Sequence, residues 1–336
     1  MIIDIYNHFM PKAFMDRLAD LIPGHIVLKA FPRLETLWNL DARLKLLDRY
    51  PDYRQVLSLA NPPIELLGTP EQTPELARIA NDGLAELCRR EPARFPAFIA
   101  SMPMNNVEAC LAEIDRAIAT LGARGIQVFT NVNNKPLSAP EFRPIFKKMR
   151  EHDLPIWIHP IRGPNFPDYS SESASEAEIW FTFGWPYETT AAVTRLIYSG
   201  LYDELPGLKI VTHHMGGMIP YYAGKIGLGF SQIFFGETDR NPVAEAAGLK
   251  LKPVEYYRML YADTALNGNI AATRCGHDFF GGDHCLFATD APFDAERGNW
   301  LISGTIDAVG AIETDRADLN RIRGENARKL LRLDSP

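Results

Sequence analysis

The sequence predicts an α/β chain closed into a (β/α)8 barrel, read as one domain over residues 1–336 with a lid or insertion at 161–185. Three observations carry that prediction. Short apolar runs alternate with amphipathic stretches along the whole chain, which implies parallel strands joined by right-handed helical crossovers. No glycine-rich loop follows the first apolar run, as an open nucleotide-binding sheet would require. Histidine or aspartate closes apolar runs spread through the entire chain, and a barrel gathers the C-terminal ends of distant strands around one pocket.

The elements follow in order. Residues 2–8 (IIDIYNH) form a first strand ending in His8. Residues 12–22 have helical apolar spacing and follow Pro11, a residue suited to a helix start. Residues 23–33 are irregular, and 34–49 are again amphipathic. Strands are expected at 55–60, 95–102, 125–130, 155–159, 208–212, 260–265 and 285–289. Helices are expected at 73–90, 107–121, 140–152, 187–201, 216–235, 299–309 and 316–333, the glycines of 216–235 arguing against that one. Residues 161–185 mix Gly, Pro, Ser and acidic residues with aromatics over a length unusual for a βα loop, which reads as a lid or as a compact surface insertion.

The bulk composition narrows the function. At 46% hydrophobic content the chain can bury a large core, and its net charge of −7 offers no electrostatic basis for nucleic-acid binding. No apolar stretch nears the ~20 residues that span a bilayer. Residues 1–9 have no basic flank and carry an acid at position 4, unlike a secretory leader. Cys88, Cys110, Cys275 and Cys285 are far apart and lack metal-type spacing, which fits reduced thiols in a cytoplasmic protein. The expectation is a soluble protein with a small-molecule substrate and neither a nucleic-acid nor a membrane partner.

Four strand ends carry chemistry: His8, His159, the pair His213-His214, and Asp290. Neutral imidazole and carboxylate suit a divalent metal site that keeps a position open for water or substrate. Any one such histidine could equally be a hydrogen-bonded core residue. Their shared strand-to-loop position is the argument for convergence.

These residues stand in longer blocks: IDIYNHF from Ile3, LPIWIHP from Leu154, YSGLYDELPGLKIVTHHMGG from Tyr198, YADTA from Tyr261 and LFATDAPF from Leu286. Through them the chain resembles, nearly end to end, the aminocarboxymuconate-semialdehyde decarboxylase-like branch of the amidohydrolase superfamily. The resemblance implies a metal-dependent non-oxidative decarboxylase of a small aromatic or unsaturated carboxylic acid. It implies one divalent metal, zinc first and Mn, Fe or Mg as alternatives, held by His8, His159 and Asp290. His214 then serves as base or orienting group, with His213 in packing or a supporting role. Asp263 and Asn267 fall in a strand-end polar cluster, where a structural role weighs as much as a functional one. A homodimer or higher homo-oligomer is the corresponding assembly. No lysine closes a middle strand, so one metal at most is implied.

The first block departs from the pattern, because many members begin His-x-His where this chain has Tyr6-Asn7-His8. Three readings stay open. His8, His159, Asp290 and solvent hold the metal while Tyr6 hydrogen-bonds in the pocket; Tyr6 binds it as a phenolate; or metal affinity is lost. In the decarboxylase reading His214 or Asp290 delivers a proton. Arg33, Arg43, Arg162 or Arg297 could meet a carboxylate, although each is read first as a solvated or helix-surface residue. Trp180, Phe181, Phe183 and Trp185 could wall a flat substrate or make an oligomer contact. Hydrolysis of a lactone, amide or cyclic imide uses the same groups, and a catalytically weak structural subunit is the reading from another class.

Overall fold

The computed structural model describes residues 1–228 and 241–333. Strand β1 (Ile2–His8) pairs in parallel with β2 (Tyr53–Ser58), and β2 with β3 (Ala97–Phe98). A second parallel sheet contains β4 (Ala100–Ser101), β5 (Ile126–Phe129), β8 (Ile156–His159), β9 (Ile210–Thr212), β10 (Tyr261–Asp263) and β11 (Cys285–Leu286), neighbours in that order. A small antiparallel hairpin, β6 (Asn131–Val132) with β7 (Lys135–Pro136), stands apart; its two-residue strands have no sequence periodicity to announce them.

The two sheets are one barrel. The strand expected over 95–102 passes from one to the other at Ile99, whose N–H donates to Leu57 O at 2.8 Å while Ala100 N–H donates to Gly125 O at 3.0 Å. On the far side the chain beyond β11 lies along β1. Ile5 N–H donates to Phe287 O (2.9 Å), Asp290 N–H to Tyr6 O (3.0 Å) and His8 N–H to Ala291 O (2.8 Å). Eight strand positions thereby close, counting β3 and β4 as one.

Inside the barrel Ile3, Ile5, Val56, Ile99, Trp157, Val211 and Leu286 pack together, and a larger apolar layer fills the space between strands and helices. Among the buried polar residues, Asp4 is fully buried at the seam. Its carboxylate accepts from Tyr53 Oη, Thr289 Oγ1 (2.6 Å), Thr289 N (3.2 Å) and Tyr6 N (3.1 Å). One side chain thus ties the first strand to the second and the last. A register shift in β1 between Asp4 and Asn7 accompanies this clamp.

Helices form where capping and apolar spacing agree. Thr73–Arg90 coincides with its expected span. The amphipathic stretch 34–49 shortens to Leu40–Leu47, because Asn39 caps it from Ala42 N and the preceding residues coil into a 3-10 turn, Glu35–Leu37. The irregular 23–33 contains the short helix Val27–Ala30. The last stretch, 316–333, is broken by a π turn, Arg321–Glu325. The crossover helix Ile270–Phe280, capped by Asn269, was not anticipated.

The helix expected over 216–235 is not there across 216–228, and the remainder lies outside the described residues. Met215, Gly216 and Gly217 all have left-handed φ (52°, 75° and 64°), which no α-helix accommodates. Gly217 is also sterically required: a Cβ there would lie 2.4 Å from Pro186 O. The chain turns sharply after β9, and that turn aims the two adjacent histidines.

Candidate active site

All the candidate residues emerge at the C-terminal end of the barrel. His8 ends β1, His159 ends β8, His213 and His214 follow β9, Asp263 ends β10, and Asp290 lies just past β11. His8, His159, His213 and Asp263 are at most 3% exposed, while Asp290 and His214 have side chains 18% and 17% exposed. The two more open groups face the entrance.

Three imidazoles are held by the same device. His159 Nδ1 lies 2.6 Å from Pro160 O, and His213 Nδ1 lies 2.6 Å from Asp263 Oδ2. His8 Nδ1 lies 3.0 Å from Ser58 Oγ and 3.2 Å from Leu59 O. Ser58 donates its own proton to Asn7 O, so both neighbours of His8 Nδ1 are acceptors. Each Nδ1 therefore carries a proton, and each Nε2 is left facing the centre, with a lone pair whenever the ring is neutral. His8 Nε2 is 2.9 Å from Asp290 Oδ1, and a lone pair that close to a carboxylate oxygen requires a cation, a proton or a metal, to share. His213 Nε2 is 3.6 Å from the same oxygen and has no hydrogen-bond partner.

Among the described residues, the donor atoms of His159, His213 and Asp290 lie within 4.8 Å of one another. The structure thus brings His213, expected in packing or support, into that cluster, while His8 reaches Asp290 by direct contact. A buried unpartnered imidazole nitrogen beside a carboxylate, with every distal Nδ1 anchored, is the donor chemistry a divalent cation takes. The residues present fit a metal.

The charge balance is consistent with close coupling. Burial would raise the Asp290 carboxyl, but His213, His214 and His8 outweigh it and hold it well below the usual carboxylate range. Burial and the neighbouring His213 push His159 well below the usual imidazole value, so it is neutral. Burial opposes charge on His213, yet Asp263 and Asp290 raise it to about 9, so without a metal ion its Nε2 holds a second proton that a bound cation would displace.

Tyr6 lies inside this group, its ring 4.4 Å from that of His213 and 4.8 Å from that of His8. Its hydroxyl donates to Gln127 Oε1 at 3.0 Å, and Gln127 Nε2 donates to Leu59 O at 3.3 Å. Burial and the charges of Asp290 and Asp263 push the phenol well above its ordinary value. Gln127 escaped the sequence reading, because a glutamine inside an apolar strand has no spacing signal.

His214 turns the other way. Its Nε2 is 3.8 Å from Asp290 Oδ2, and it borders a cavity of about 440 Å³ with Met215, Tyr221, Leu266 and Asn269. Its backbone N–H is taken by Asp263 Oδ1 at 3.0 Å. Aromatic rings surround the histidines: Trp185 lies 5.2 Å from His159 and 6.4 Å from His214, Phe129 5.2 Å from His159, and Phe293 5.4 Å from His8. Trp180 and Phe181 meet Trp185 edge to face, while Phe183 is 68% exposed. Asn267 sits in the turn after β10 with φ 51°.

The arginines divide. Arg43, read as solvated, is fully buried, because it fills a polar gap in the barrel wall. It donates to Thr36 O (2.7 Å), Gln55 Oε1 (2.8 Å) and His8 O. Its three acceptors leave it braced against β1 rather than free for substrate. Arg162 pairs with Glu188 and Arg297 with Glu35, and Arg33 is exposed.

A barrel whose strand ends carry buried histidines, each held at Nδ1, around one aspartate defines a class of metal-centred barrel enzymes. The chain belongs to the Amidohydrolase family, whose pattern it matches over residues 3–333. It is 31% identical to the gamma-resorcylate decarboxylase of Rhizobium radiobacter, over 98% of this chain and 97% of that one. It is 28% identical to the 2-amino-3-carboxymuconate-6-semialdehyde decarboxylase of Dictyostelium discoideum, over 99% and 92%. A dihydroxybenzoic acid decarboxylase from Polaromonas, solved with manganese and the inhibitor 2-nitroresorcinol, superposes with a TM-score of 0.79 at 27% identity, over 100% of this chain and 98% of that one.

Proposed function

We propose that this protein removes CO2, without oxidation, from a small aromatic carboxylic acid at the His8–His159–His213–Asp290 centre. The observation that carries the reading is the flat aromatic enclosure set directly on that centre: Trp185 and Phe129 against His159, and Phe293 against His8. Such walls match a planar ring by offset or edge-to-face contact. Relatives similar over the whole chain act on aromatic or unsaturated acids, which supports the same substrate class here.

His159 and Asp290 would hold one divalent ion, with His8 on the Asp290 side. When bound, the ion supplies Lewis acidity and a template for substrate oxygens. The chain's own residues do the rest. Trp185 and Phe293 orient the ring and exclude water from one face. Asp290 and His214, the two partly open polar groups, lie where a proton can be held beside the ring. One proton is added to the carbon bearing the carboxylate, the carbon–carbon bond breaks with its electrons returning to the ring, and CO2 leaves. No oxidant is consumed.

Zinc is the ion proposed, since an imidazole-rich set with one carboxylate suits it, and manganese is its competitor given the Polaromonas structure. Residues 161–185 are proposed as a cover, supported by Trp185 Nε1 donating to Arg162 O at 3.1 Å and by the Arg162–Glu188 pair. The remaining proposals are one domain, a homodimer and a cytoplasmic location; exposed Phe183 and Tyr187 support self-association, and no helix among the described residues is long and apolar enough to cross a membrane.

The test is a panel of ortho-hydroxylated benzoates assayed for CO2 release, before and after chelation and after reloading with Zn²⁺ or Mn²⁺. Metal-dependent CO2 release with loss of the acid's absorbance is the expected result. Hydrolysis of neutral lactones or amides with no CO2 from any acid would sink the proposal in favour of a hydrolase.

A further inference from the structure

We infer that His213 is itself a metal ligand of this chain, completing the centre from β9 while the phenol of Tyr6 closes the β1 side. This rests on the metal-centred reading above and concerns which residues build the centre.

The geometry separates His213 from its neighbour. Nδ1 donates to Oδ2 of Asp263, whose other oxygen, Oδ1, accepts from the backbone N–H groups of His214 (3.0 Å) and Ala265 (3.2 Å). Asp263 is fully buried and fixed by the chain on both sides of it, so the orientation of the His213 ring is set before any ligand arrives. That orientation leaves Nε2 without a hydrogen-bond partner, 3.6 Å from Asp290 and in the cluster with His159. A buried ring nitrogen pre-aimed at a carboxylate shares a cation with it, a proton or a metal ion.

A catalytic base is the competing role, and access argues against it. His213 is 1% exposed, whereas His214 lines the cavity of about 440 Å³ and His213 does not. The doublet divides the work: one ring faces the metal and the other faces the substrate space. Tyr6 cannot take the ligand's place as it stands, because its hydroxyl proton is committed to Gln127, whose amide is oriented by Leu59 O. Its ring nevertheless occupies the position beside His213 from which an imidazole on β1 would reach the same centre.

The test uses the whole protein, stripped with chelator and titrated with Zn²⁺ alone, with Co²⁺ absorption as a second readout. His213→Asn is the informative variant: its amide nitrogen sits near the former Nδ1 and keeps the bond to Asp263, while Nε2 is deleted. We expect Zn²⁺ affinity to fall by about 100-fold or more and the Co²⁺ spectrum to change, with the melting temperature of the metal-free protein retained. Adding Tyr6→His to that variant should restore at least ~10-fold of the affinity. Should His213→Asn not fold, Asp263→Asn is expected to weaken Zn²⁺ binding by ~10-fold or more. Wild-type affinity and an unchanged Co²⁺ spectrum in His213→Asn, with His159→Ala unable to bind, would overturn the assignment and leave the metal-centred reading standing. Failure of the wild-type protein to bind Zn²⁺ at all would remove both.

Discussion

Thr289 Oγ1 donates to Asp4 Oδ2 at 2.6 Å, joining the chain just past the last strand to the middle of the first. Tyr53 Oη on the second strand reaches the same carboxylate oxygen. The bond that closes the barrel therefore lies two residues before Tyr6 and one before Asp290, so closure and site geometry are coupled.

Asp4→Ala is expected to cost about 3 kcal/mol of unfolding free energy, because it strands the hydroxyls of Tyr53 and Thr289 in the core. Asp4→Asn keeps an acceptor and should cost less. Urea denaturation measures both, and an Asp4→Ala protein as stable as wild type would show that the seam holds without the clamp.

Glu65 predicts a pH dependence of stability. It is 4% exposed, its Oε1 has no partner, and burial pushes its carboxyl from 4.5 up to about 8. The folded protein thus keeps a proton that the unfolded chain gives up between those values. The stability tied to the neutral form is fully present below pH 4.5 and is lost as pH rises through about 8. Glu65→Gln cannot ionise and should flatten this slope. Melting temperatures of the two proteins at pH 5, 7 and 9 decide it, with equal slopes counting against the assignment.

Trp185 stands between His159 and His214 while its indole N–H holds Arg162 O. Trp185→Ala should lower kcat/KM for an aromatic acid by about tenfold or more, mainly through KM, with bound metal unchanged. Trp185→Phe keeps a ring and should recover most of the loss. Steady-state kinetics with metal analysis on the same samples separates a wall from a ligand-supporting role.

Arg43 braces Thr36 O, Gln55 and His8 O from a fully buried position. Replacing it with Ala leaves those acceptors unpaired and should cost about 3–5 kcal/mol, measured by chemical denaturation. Arg43→Lys cannot span three acceptors and should recover only part. Loss of substrate affinity with unchanged stability would instead make it a substrate-binding arginine.

The alternation of apolar runs with amphipathic stretches, and the His or Asp ending those runs, was legible from residue order. Burial on both faces of a parallel strand writes itself as a continuous apolar run, and helical crossovers write a 3.6-residue period. Thr73–Arg90 shows how closely a capped, periodic helix can be read. The turn after β9 was misread as helix because it depends on left-handed residues and on the approach of Pro186 to Gly217, a contact between segments distant in sequence.

The sequence by itself determined the barrel and nominated Tyr6, His8, His159, His213, His214 and Asp290 as neighbours. Only the tertiary structure decided their relation: His213 Nε2 inside the cluster, His214 at the cavity, Tyr6 bonded to Gln127, and Arg43 inside the wall. The reason is physical. Periodicity records which face of a segment is buried, whereas the direction of a ring nitrogen is set by hydrogen bonds from residues tens to hundreds of positions away, and those exist only once the barrel has closed.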